Sequence, residues 1–180
     1  ILLEPKYKNT PVNESIFQGQ GHKDRGRVSK YTQSVLMEIM KNSGIHSLTI
    51  TSTARTVDEQ ARVMYQNIKT FGVDQQKRLY ADAGDQVIDE YSKYNNMNRS
   101  KEFVISKMKA KINELNPSKI SHHIADFKVL NVIDIAPSSI PTALRPTFVK
   151  AITNDPRISQ CFMPPNDPAY HLEIPQVTGS

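Results

Sequence analysis

Cysteine occurs once in the 180 residues, at Cys161, which excludes an internal disulfide, a cysteine scaffold and a cysteine-ligated zinc site. Any metal must be held by histidine and carboxylate. No apolar run approaches the ~18 residues that a membrane span requires, so no membrane span is expected. Nor does any stretch show the basic, apolar and small-residue order of a signal peptide. The chain starts at Ile1, and the expectation is an export signal removed by processing or trimming. A basic tail or stripe is missing too. The 23 Lys and Arg against 18 Asp and Glu give a net charge of +5, but they are spread out, and the densest group, "GHKDRGR", is interrupted by Asp24. Such a charge is compatible with nucleic acid, an anionic wall polymer or a membrane surface and does not choose among them. Internal repeats and low-complexity tracts are absent. "GQGHK" lacks the strand-to-helix context and third glycine of a dinucleotide fingerprint.

What is present is an ordinary globular composition, 38% hydrophobic and 23% charged, in a length that fits one domain. Residues 1–26, with Pro5, Pro11, Gly19, Gly21 and Gly26 among polar residues, are expected to form an extended lead-in arm, and 27–180 the single domain. Val28, Tyr31, Val35 and Ile39 recur at helical spacing up to a cap at Gly44. "SLTITST" alternates as a half-buried strand does. Thr56 and Glu59 have capping-box spacing, which puts Arg55 at a strand-to-helix junction. Helical stretches over about 74–94 and 100–115, with the Asn-rich "KYNNMNRS" as the loop between them, read as a helical insertion. "FKVLNVIDIA" is a buried strand carrying Asp134 near its end, and a helix follows over about 145–153. "ISQCFM" and "AYHLEI" form a closing hairpin around "PPNDP". Strands and helices mix without a repeating β-α rhythm, so the expected class is α+β with a small antiparallel sheet flanked by helices.

Three scattered residues have the donors for one metal ion: His123 in "SHHIADF", Asp134 in "NVIDIAP" and His171 in "YHLEIP". Two imidazoles and a carboxylate suit zinc, and three protein ligands leave a fourth position for water. On a strand, His171 and Glu173 would point to one face and Leu172 to the other. Asp134 has apolar neighbours on both sides, an expensive setting for a carboxylate unless it is paired or bound to metal. Alternatively Asp134 caps the turn at "APSS". His122 reads as a polar residue at a helix start, pairing with Asp126 at i,i+4.

The blocks "STARTVDEQ", "SHH" with the later "VIDIA", and "YHLEIP" resemble those of the D-alanyl-D-alanine carboxypeptidase and endopeptidase family. These zinc peptidases share a superfamily with lysostaphin and the hedgehog amino-terminal domain. Ser52, Arg55, Thr56 and Gln60 match the family's first block, with Thr53 and Ala54 as departures. Ser121, His123 and Asp134 match the second and His171 the third. The stretch from His123 to Asp134 is longer than the family's and lacks its usual glycine. The position three before His171, where the family keeps its catalytic acid, is Pro168, with Asp167 beside it.

The resemblance implies a hedgehog/DD-peptidase-like domain whose zinc ligands are His123, Asp134 and His171, acting on peptidoglycan peptides at the cell wall or in the periplasm. Arg55 would position substrate, with Gln60 and Ser121 as further substrate-side residues, Ser121 serving as a hydrogen-bonding partner rather than a nucleophile. The general base is assigned first to Asp167 and second to Glu173. A monomer that binds no nucleic acid is expected. Two alternatives stay open. One is a ββα-type metal nuclease, which "HHI", Asn131 and the basic charge would suit. The other is a non-catalytic wall-binding module on the same scaffold.

Overall fold

The computed structural model describes residues 26–177, so the expected lead-in arm, apart from Gly26, lies outside the described residues. Those residues fall into two compact units. One contains the chain up to Ala54 and again from Ala125 onward; the other, Arg55–Ile124, is inserted into it in sequence. The architecture is α+β: a four-stranded antiparallel sheet and, among the described residues, six α-helices.

The sheet unit begins with α1 (Lys30–Ser43). The Ser29 side chain accepts from the Thr32 amide at its start, and Gly44, at φ 70°, closes its end. Only a residue without Cβ adopts that left-handed cap cheaply. Strand β1 (Ile50–Ser52) is shorter than "SLTITST" implied. After the insertion come β2 (Leu130–Ile135), short 3₁₀ turns, α2 (Arg145–Asn154), β3 (Gln160–Phe162) and β4 (Tyr170–Pro175). The strand order is β1-β2-β4-β3, which puts the two longest strands in the centre. Alternation then sorts the residues. Ile133 and Ile135 of β2 and Tyr170, Leu172 and Ile174 of β4 pack with Val35, Leu36 and Ile39 of α1 and with Phe148 and Ile152 of α2 into one core. Asn131 is fully buried beneath the start of α1. Its Oδ1 accepts from the Ser29 amide at 2.8 Å, and its Nδ2 donates to the Phe127 carbonyl.

The inserted unit is helical: α3 (Val57–Phe71), a short α4 (Val73–Lys77), α5 (Asp82–Asn96) and α6 (Lys101–Leu115). The reciprocal Thr56–Glu59 capping box starts α3 as the sequence predicts. Ala61, Met64 and Ile68 of α3, Val87, Ile88 and Tyr91 of α5, and Val104, Ile105, Met108 and Ile112 of α6 face one another at helical spacing and form a separate core. Two expectations need correction. The helix foreseen over 74–94 is interrupted between Lys77 and Asp82, where Tyr80 folds back against Gly84 in the first turn of α5. At its other end α5 runs through Asn96, so much of "KYNNMNRS" is helix. Tyr94 gains an edge-on contact with Phe103 of α6, centroids 5.4 Å apart, and tertiary packing outweighs the weak helix preference of asparagine.

Candidate metal centre

Strand pairing brings together residues that are far apart in sequence. In the β2–β4 register Asp134 stands directly opposite His171, and Val132 opposite Glu173. Asp134, His171 and Glu173 therefore share the sheet face turned away from the core, while Leu172, between the last two, is fully buried on the core side. On β3, Phe162 opposes His171 and lays its ring 5.5 Å from the imidazole. Asp134 Oδ1 lies 2.9 Å from His171 Nδ1, and Glu173 Oε1 lies 3.3 Å from Nε2. Asp134 thus has a side-chain partner in His171, and the 3₁₀ turn Pro137–Ser139 has no side-chain cap. The capping alternative fails for that turn.

The imidazole is gripped on both sides by carboxylates. Burial pulls the pKa of His171 down, but the hydrogen bonds and charges of Asp134 and Glu173 together outweigh it, and the net shift is upward. A neutral imidazole has one ring proton, so it can donate to only one of these carboxylates and must face the other lone pair to lone pair. Either a second proton or a cation relieves that conflict. The donor types, imidazole and carboxylate, suit a divalent cation, while the 2.9 Å between Asp134 Oδ1 and His171 Nδ1 is an ordinary hydrogen-bond distance. His171 offers metal-type donor atoms beside Asp134 at one ring nitrogen and beside Glu173 at the other within the sheet unit, and the helical unit carries metal-type donors of its own in His122 and His123.

In the helical unit His123 is buried and lies in the turn after Pro117–Lys119. Ser121 Oγ accepts from the His123 amide at 3.2 Å, so it steadies the main chain of His123 rather than its ring. No helix starts here. The expected helix start at His122 is therefore corrected to a turn, in which Asp126 Oδ1 accepts from the Lys128 amide at 2.9 Å. Arg55 is at the foreseen strand-to-helix junction. Its amide donates to the His123 carbonyl at 2.7 Å, and its Nη1 donates to Gln60 Oε1 at 3.1 Å. Gln60 is fully buried and donates onward to the Tyr80 hydroxyl at 3.3 Å.

Asp167 sits differently from Glu173. Its Oδ1 accepts from the Ala169 amide at 2.8 Å within the 163–169 turn, which contains the cis peptide bond Pro164–Pro165. Its charge is felt by Cys161, whose thiol is pushed up to about 11, by burial first and by Asp167 second. Of the two candidate bases, Glu173 is the one in contact with His171. The sequence reading makes His122 a polar residue pairing with Asp126 and not a metal donor. One residue escaped the sequence reading. Tyr80 carried no motif at all, because its meeting with Gln60 arises from helix packing.

No protein-family model, no curated protein and no solved structure matches the chain.

Proposed function

We propose that this chain is a zinc-dependent peptidoglycan peptidase of the hedgehog/DD-peptidase type, a metallopeptidase that cuts a peptide bond in wall stem peptides or cross-links. The observation that carries this assignment is the strand "YHLEIP", which turns His171 and Glu173 to one face and sets His171 against Asp134 on the neighbouring strand.

His123, Asp134 and His171 would hold the zinc. Zinc supplies Lewis acidity when bound and lowers the pKa of coordinated water toward ~7. Glu173, buried beside His171, takes the proton from the attacking water and delivers it to the leaving amine. The contact with His171 favours Glu173 over Asp167 in that role, because Asp167 spends an oxygen on its own turn. Arg55 presents the planar donors that pair with a peptide carboxylate or a polarised carbonyl. Ser121 fixes the main chain from which His123 projects. The nuclease alternative loses its asparagine, since both ends of the Asn131 amide are engaged by the main chain.

Metal analysis combined with mass spectrometry of defined wall peptides tests the assignment. The wild-type protein should release peptide products, and Glu173→Gln should keep its zinc while losing activity by about a hundredfold or more, the usual contribution of a general base. Zinc bound without any released product would point to a wall-binding module. An active Glu173→Gln together with an inactive Asp167→Ala would return the proton-transfer role to Asp167.

A further inference from the structure

We infer that Tyr80 is a positioning residue for Arg55, acting through Gln60 and held in place by Gly84. The inference rests on the peptidase assignment for its consequence but not for its geometry, which lies wholly within the helical unit. Arg55 Nη1 donates to Gln60 Oε1, and Gln60 Nε2 donates to the Tyr80 hydroxyl. Gln60 has no exposed surface, so an amide flip or a lost partner would leave a polar atom unsatisfied, which is expensive in such a place. The tyrosine hydroxyl therefore sets which end of the Gln60 amide faces Arg55. With a hydroxyl acting as acceptor for Nε2, the amide oxygen is turned toward the guanidinium.

Tyr80 has little freedom of its own. A Cβ at Gly84 would come within 2.5 Å of Tyr80 Cβ and 2.7 Å of its Cγ, a clash that could only be relieved by moving the ring and its attachment. Glycine in the first turn of α5 is thus the condition for the ring to lie where it does. Burial pushes the Tyr80 phenol up while the Arg55 charge pulls it down; the net shift is upward, so the hydroxyl stays protonated at neutral pH. The arrangement orients one edge of the Arg55 guanidinium through two neutral side chains.

The test separates positioning from folding and from catalysis. Spectra of protein with ¹⁵N-labelled arginine side chains, with Arg55 assigned by its loss in Arg55→Lys, should show restricted guanidinium rotation in the wild type. Tyr80→Phe should release it, and Gly84→Ala should reproduce that release by displacing the ring. In the peptidase assay Tyr80→Phe should raise KM about fivefold for peptides with a free terminal carboxylate, the factor one hydrogen bond carries, with kcat unchanged. Unchanged Arg55 resonances in both variants would overturn the inference, as would a fall in kcat at constant KM. A wild-type protein without peptidase activity would refute the proposed function and leave the resonance experiment to decide the role of Tyr80.

Discussion

The amide of Arg55 donates to the carbonyl of His123 at 2.7 Å, a main-chain bond between residues near opposite ends of the inserted helical unit. It ties the residue proposed to hold substrate to the residue proposed to hold zinc at a fixed backbone spacing. Neighbouring Thr56 reinforces the junction through its capping box. Thr56→Ala should cost about 1 kcal/mol of stability in urea unfolding. Hydrogen exchange should show the Arg55 amide protected in the wild type and faster in the variant.

Metal should stabilise the fold through the carboxylate-gripped histidine. At zinc concentrations about 100 times Kd the linkage is worth about 2.7 kcal/mol, visible as a rise in Tm. The rise should vanish in His171→Ala and in Asp134→Ala. A full rise in either variant would place the metal elsewhere.

Acid should weaken the Asp155–Arg157 pair in the sheet unit. Arg157 Nη2 and Nε donate to Asp155 at 2.6 and 2.8 Å, and its Nη1 reaches Glu38 at 2.7 Å. Arg157 holds the Asp155 carboxyl below the usual carboxylate range, chiefly by hydrogen bonding, against the opposing pull of burial. A depressed folded-state pKa contributes stability above the unfolded value of ~3.9, and that contribution is lost as pH falls through the folded value. Asp155→Asn should therefore lower stability by about 1–2 kcal/mol at pH 7, with the gap to wild type closing below about pH 4 in acid titrations.

Cys161 should be a sluggish thiol. With its pKa pushed up to about 11, roughly a hundredfold less thiolate is present at pH 8 than for a thiol of pKa near 9, and only the thiolate reacts with alkylating agents. Alkylation of the native protein with iodoacetamide should be slower than in urea by at least that order. Equal rates would show that the side chain is not held as described.

Much of the fold could be read from local pattern. Helix α1 announced itself through Val28, Val35, Ile39 and the glycine that ends it, and α3 through Thr56 and Glu59. The strands carrying Asp134 and His171 were legible because their apolar residues alternate or run together, and the closing hairpin because turn residues separate them. What escaped depended on contacts between distant segments. The break before α5 and its extension through Asn96 reflect Tyr80 against Gly84 and Tyr94 against Phe103, which no window of sequence displays. The preference for Glu173 over Asp167 likewise needed the strand geometry, since sequence spacing alone placed Asp167 nearer the family's acid position.

The alternation of His171, Leu172 and Glu173 along a single strand has an evolutionary corollary. Truncating Leu172, buried among the residues of the core, should cost about 2–5 kcal/mol, whereas its two neighbours face away from that core. On the proposed reading, substitutions that alter the site and substitutions that endanger the core fall on alternate positions of the same six residues, so selection acts on the two separately.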